Sequence, residues 1–162
     1  MTRVGVTGHQ KLGRSGDWDW VSKSVDFQLY QLEKPLLCLT SLAVGADQLV
    51  AQLIIAQGGA LYAVLPFRDI ERTLSPNNLP KFLSLVKQSQ VEVLSSPPGD
   101  DEEAFLAAGK RVVDLCEVLF AIWDGKPARG KGGSGDVVSY ARQVKRKTIH
   151  FNPETQTVLV LQ

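Results

Sequence analysis

Six short apolar runs, the first five each followed by a segment with an apolar residue at every third or fourth position, limit what this chain can fold into more than any other feature. The runs are "RVGVTG", "PLLCLTSLA", "GGALYAVLPF", "VEVL", "EVLFAIW" and "KTIHF", and a further "TVLVL" near the C-terminus reads as an edge strand. Between them lie helical stripes: Trp18, Val21, Val25, Leu29 and Leu32; Ala46, Leu49, Val50, Leu53 and Ile54; Leu79, Phe82, Leu83 and Val86; Phe105, Ala108, Val112 and Leu115; Val137, Val138, Ala141 and Val144. Strands apolar nearly throughout are strands buried on both faces, and that burial needs helices above and below a parallel sheet. The expectation is an α/β fold: a Rossmann-like, doubly wound, mostly parallel sheet of five to seven strands with helices on both faces. The 162 residues suit one domain spanning 1–162.

Composition narrows the functional classes. A hydrophobic content of 44%, with 22% charged residues and a net charge of +1, is ordinary for a globular chain and lacks the basic excess of an electrostatic nucleic-acid binder. On this ground nucleic acid is expected to be an unlikely partner. No apolar stretch is long enough to cross a bilayer, so no membrane partner is expected. Cys38 and Cys116 each sit inside an apolar run, which predicts reduced core thiols and a cytoplasmic location. With only His9 and His150, and no cysteine–histidine spacing of the zinc kind, no metal is expected.

In open parallel sheets ligands bind beyond the carboxyl ends of the strands. Four loops arrive there carrying unusual residues: "TGHQKLG", "SLAVGAD", "PFRD" and "WDGKPARGKGGSGD". Glycines at such points let backbone amides approach an anion, and the helix dipole adds partial positive charge. Each residue also has a structural explanation. Gly8 suits a tight turn, Asp47 and Asp136 suit the first turn of a helix, and Trp123 suits packing at a strand end. The G-x-G-x-x-G fingerprint is absent after the first strand, as is G-x-x-x-x-G-K-[ST] anywhere, so neither a dinucleotide cofactor nor P-loop chemistry is indicated, and no cofactor is expected. The loop-rich segment "RDIERTLSPNNLP" is expected to lie over or beside the pocket.

The stretches "VGVTGHQ", "TSLAVGADQLVA", "VLPF" and "AIWDGKPARGKGGSGDVVSYAR" together resemble the Rossmann-like SLOG superfamily, which includes the LOG phosphoribohydrolases, YpsA proteins and the DNA-processing protein DprA. The resemblance implies one nucleotide pocket built from these loops. Thr7, Gly8 and His9 would face phosphate or ribose, with Ser41, Gly45 and Asp47 as the second wall. Gly132, Gly133, Ser134, Gly135 and Asp136 would wrap the phosphate, and Pro66, Phe67, Trp123 and Asp124 complete the candidate set. One departure matters: LOG enzymes carry P-G-G-x-G-T-x-x-E, whereas here Lys131 precedes the glycine pair and Val137 or Val138 falls at the carboxylate position. The leading expectation is therefore a nucleotide-binding sensor or regulatory module, able to form a homo-oligomer. The alternatives are a phosphoribohydrolase using Asp136 or Asp47 as its catalytic carboxylate, and DprA-like single-stranded DNA binding.

Overall fold

The computed structural model describes residues 1–13, 16–95, 99–127 and 133–161. Seven strands alternate with helices in chain order: β1 (Thr2–Gly8), α1 (Trp18–Tyr30), β2 (Leu36–Thr40), α2 (Ala46–Ala56), β3 (Ala60–Leu65), α3 (Leu79–Lys87), β4 (Ser89–Val93), α4 (Asp101–Leu115), β5 (Val118–Ile122), α5 (Ser134–Gln143), β6 (Lys147–Asn152) and β7 (Thr157–Leu161). A 3-10 turn, Ile70–Thr73, sits between β3 and α3. The strands form one sheet in the order β4-β3-β2-β1-β5-β6-β7. Every pairing is parallel except β6 with β7, which is antiparallel. This is the Rossmann-like α/β fold anticipated from the alternation of runs and stripes.

The two faces of the sheet carry separate apolar layers. Val21, Val25 and Leu29 of α1, Val50 and Ile54 of α2, and Phe82 and Leu85 of α3 pack over one face. Ala108, Val112 and Val113 of α4 join Val137 and Ala141 of α5 over the other. β5, flanked by β1 and β6, is buried at all five positions, as its unbroken apolar sequence requires. Cys38 and Cys116 are buried and unpaired. At the opposite extreme, Val91 and Val93 of β4 are 42% and 40% exposed, because an edge strand lacks cover on one side. No helix among the described residues is long and apolar enough to cross a membrane.

Strand order places the site. From β1 the chain winds outward through β2, β3 and β4, then crosses back to lay β5 on the other side of β1. The loops after β1 and β5 thus lead away in opposite directions and leave a crevice between them, where ligands of open α/β sheets bind.

Candidate functional site

A cleft of about 830 Å³ opens at this crevice. It is lined by Thr7, Gly8 and His9 after β1, Ser41 and Asp47 around the β2–α2 loop, Trp123 and Asp124 after β5, and Gly133, Ser134 and Gly135 at the start of α5. Gly45, Pro66, Phe67 and Asp136 do not line it, and Gly132 lies outside the described residues. The segment after β3 contributes Ile70, Thr73 and Leu74, so the loop-rich stretch does border the cleft.

Two glycines bring the walls together. A Cβ on Gly8 would stand 2.5 Å from the Ala46 Cβ and 2.8 Å from the Ile122 oxygen. Gly45 has φ +95, and a Cβ there would stand 2.5 Å from the His9 oxygen and 2.6 Å from the Gln10 oxygen. Next to it, the Ala46 amide donates to the His9 carbonyl at 3.1 Å. Close approach of two loops therefore accounts for both glycines, and Gly45 additionally needs the left-handed backbone that only glycine adopts at little cost.

Asp47 organises the β2–α2 loop from within. Its Oδ2 accepts the Thr40 hydroxyl at 3.1 Å, the Ser41 amide at 3.2 Å and the Ala43 amide at 3.4 Å. The Thr40 hydroxyl oxygen accepts the Leu42 amide at 2.9 Å, and the Gln48 side-chain amide donates to the Leu42 carbonyl at 3.0 Å. These bonds hold buried Leu42 at φ 58, a left-handed conformation that a leucine adopts only when its surroundings impose it. Burial pushes the Asp47 carboxyl up to about 6, outweighing the hydrogen bonds from Thr40, Ala43 and Ser41 that favour its charged form.

Across the crevice, the Asp124 amide donates to Nε2 of His9 at 3.1 Å, and the Asp124 carboxylate turns back to accept the Lys126 amide at 2.9 Å. Burial raises the Asp124 carboxyl, but the Lys126 amide and the neighbouring His9 and Lys126 outweigh it and leave it below its ordinary value. Trp123 is tied down by its indole N–H to the Lys126 carbonyl at 2.7 Å and by its own carbonyl to Nε2 of His150, also at 2.7 Å. Its ring lies 5.1 Å from that of His150.

Helices α1 and α4 are capped by Asp17 and Asp100, whereas α5 begins at Gly133 with no side-chain cap. Gly133, Ser134 and Gly135 line the cleft, the amides of Asp136 and Val137 donate to the Gly133 carbonyl at 3.1 and 3.2 Å, and Asp136 adds a carboxylate to the first turn. Gly133 has φ −69 and ψ 167, extended backbone open to any residue, so its lack of a side chain matters for access and not for conformation. Ser134 and Thr7 line the same cleft, and neither hydroxyl has a hydrogen-bond partner among the described residues.

Sequence reasoning missed the apolar wall. Leu12, Leu74, Phe105 and Gly109 line the cleft but read in the sequence as loop or core positions. Gly109 gave a usable signal, since glycine inside a helix costs about 1 kcal/mol; a Cβ there would stand 2.6 Å from Val137 Cγ2, so it sets the spacing of α4 and α5. Phe67 backs this wall with its ring centroid 5.7 Å from that of Phe105, and Arg72 covers the Phe67 ring at 4.7 Å while pairing bidentately with Asp101.

No protein-family model and no curated protein matches the sequence. Among solved structures, the fold matches DNA processing protein A (DprA) from Streptococcus pneumoniae with a TM-score of 0.65 and 19% identity over 92% of this chain. It also matches DprA from Helicobacter pylori, described for its single-stranded DNA binding mode, with a TM-score of 0.63 and 14% identity over 92% of this chain. The chain spans 50% of the length of the first and 64% of the second. The expectation that nucleic acid is an unlikely partner is thereby corrected, because a neighbour of this fold binds single-stranded DNA. Net charge sums the whole surface, while binding reads the field and shape of one face. The Rossmann-like fold that the sequence resemblance implied is the fold this chain shares with DNA processing protein A.

Proposed function

We propose that the cleft binds nucleotide units through phosphate and sugar, and that single-stranded DNA presents them. The uncapped amino-terminus of α5, opening on a crevice of this fold, carries the reading. The likeness to a protein with a single-stranded DNA binding mode supports the choice of polymer. Aromatic and aliphatic groups such as Phe105 and Leu74 supply a surface against which a base packs without regard to its identity.

A free nucleotide-derived ligand, held by a sensor, is the second reading. The charge balance among the described lining residues favours it: Asp47, Asp124 and Glu154 stand against Lys11 and Lys126. Cleavage of a glycosidic bond has less support. Val137 and Val138, at the position of the LOG carboxylate, are both 2% exposed and carry no ionisable group, and Asp47 is engaged by its own loop. Unpaired, buried Cys38 and Cys116 fit a reducing compartment and support a proposed cytoplasmic location.

The test is fluorescence anisotropy of a labelled 20-nucleotide oligothymidylate with the full chain, at two salt concentrations, beside titration with mononucleotides. Saturable oligonucleotide binding that weakens with salt is the expected result. Binding of mononucleotides alone would favour the sensor, and binding of neither would overturn both readings.

A further inference from the structure

We infer, on the DNA reading just given, that phosphates of the strand are held outside the cleft, by a basic face around Arg146 at the amino-terminal ends of the strands. The described lining of the cleft is acidic on balance, with Asp47, Asp124 and Glu154 against Lys11 and Lys126. It supplies little of the phosphate neutralisation on which affinity for a nucleic-acid backbone rests.

Cations are concentrated at the other end of the sheet. Arg142 in the last turn of α5, Lys145 and Arg146 in the turn that follows, and Lys147 at the start of β6 bring positive charge to one short stretch, and all but Arg146 are exposed. The register sets Lys147 opposite Val118 of β5 and Val118 opposite Val4 of β1, so Arg3 stands at the same end. Burial pushes the Cys116 thiol up to about 11, and Arg146 and Arg3 both oppose it, so the two guanidinium groups act on one spot. The neighbouring carboxylates are engaged. Glu117 accepts the Arg3 amide at 2.9 Å and lies 3.7 Å from its guanidinium, and Asp114 accepts the Tyr140 hydroxyl at 2.7 Å.

A solvated helix end does not explain this face. The helix dipole draws cations to its carboxyl end, which accounts for Arg142 and Lys145 but not for Arg3 and Lys147 at the starts of two strands. The Nε–H of Arg146 is buried and has no hydrogen-bond partner, and an anion drawn into the guanidinium fork supplies one. Lys145 has φ 58 in the turn that closes α5, where its amide donates to the Arg142 carbonyl and the Arg146 amide donates to the Ala141 carbonyl. Glycine suits that turn, and a lysine there holds its charge outward at the expense of backbone strain.

Helix α5 joins this face to the cleft. Ser134 and Gly135 at its start line the cleft, Arg142 lies in its last turn, and its length is about 15 Å. A single strand leaving the cleft along α5 reaches the cations within a few nucleotides. Val144, 41% exposed among them, adds apolar surface beside the backbone contacts.

The test is anisotropy of the labelled 20-nucleotide oligothymidylate at several salt concentrations, with dTMP titrated in parallel, on the parent and on a full-chain variant carrying Lys145→Gln, Arg146→Gln and Lys147→Gln. Removing three phosphate contacts should weaken the oligonucleotide at least about tenfold and flatten the slope of log affinity against log salt by about 2, at about 0.7 per contact on a single strand. Affinity for dTMP should stay at the parental value, since none of the three residues lines the cleft. Lys145→Gly alone, which relieves the strained backbone, should melt higher yet bind the oligonucleotide more weakly, and it decides the matter if the triple variant does not fold. Parental oligonucleotide affinity and salt slope in the folded variants overturn the inference and leave the proposed function standing. Loss of the oligonucleotide from the variants, when dTMP binds neither them nor the parent, upholds the basic face and removes the cleft reading. An oligonucleotide that fails to bind the parent overturns both the inference and the DNA reading. Polyglutamate that displaces the oligonucleotide from the parent at matched charge assigns the face to an acidic protein and overturns the inference as well.

Discussion

Asp124 gives its backbone N–H to Nε2 of His9 at 3.1 Å, joining two loops whose residues lie 115 positions apart in sequence. The bond leaves the ring proton on Nδ1 and stitches the end of β1 to the end of β5 across the crevice. His9→Ala removes the acceptor and leaves a partly buried amide unsatisfied, which should cost about 1–3 kcal/mol. At this chain length the melting temperature should drop by roughly 2–4 °C for each kcal/mol lost. Differential scanning calorimetry would show it, and His9→Gln, whose side-chain carbonyl can accept, should recover part of the loss.

Gly45 and Gly58 form a natural pair for separating backbone strain from steric overlap. Both have positive φ, +95 and +80, but a Cβ on Gly58 would have nothing within 4 Å, whereas on Gly45 it would press on the His9 and Gln10 backbone. Gly58→Ala should cost about 1 kcal/mol for conformation alone. Gly45→Ala should cost clearly more, about 3 kcal/mol or above, since neither opposing backbone can move without opening the cleft wall. Urea melts of the two variants would measure the difference.

The pH dependence of stability should carry the signature of Asp47. Burial raises its folded carboxyl from 3.8 to about 6, so the folded chain binds more protons than the unfolded chain between those values. Stability contributed by this residue is greatest at acid pH, falls as pH climbs from about 4 to about 6, and is level above that. A shift of this size corresponds to roughly 3 kcal/mol. Carboxylates held low, such as Asp101 beside Arg72 and Glu92 beside Arg111, push the other way at lower pH. Comparing Asp47→Asn with the parent cancels them: the variant's relative stability should rise between pH 4 and pH 6.5. A flat difference would refute the assignment.

Gly133→Val should abolish nucleotide binding and leave the melting temperature within about 1 °C. The backbone there, φ −69 and ψ 167, accepts valine without strain, so only the approach of a ligand to the α5 amides is blocked. Parental affinity in this variant would show that the glycine-rich stretch serves merely as a connection.

The sequence carried the fold because each level of it agreed: stripes at Val21, Val25 and Leu29 and the apolar β5 were buried where their periods required. It misled at the margins, where position in the sheet outweighs pattern. Val91 and Val93 are as apolar as any central strand residue yet lie on an edge, and Val144, counted in the last stripe, is 41% exposed past the end of α5. For the site, glycines and polar residues at strand ends were legible, since loops there have few other reasons to hold them. The hydrogen bonds that engage Asp47 within its loop were not legible, because Thr40 and Ala43 look like any strand-end residues. Nor was Phe105, whose helical period reads as core although it borders the cleft.

The fusion of the β1 and β2 loops through Gly45, Ala46 and the His9 carbonyl divides the cleft into halves with different freedom to diverge. A substitution on the fused half disturbs two loops at once, whereas Ile70, Thr73 and Leu74 border the cleft from a short turn outside that junction. Anyone re-targeting this scaffold toward another ligand should leave the glycine junction untouched and randomise the turn.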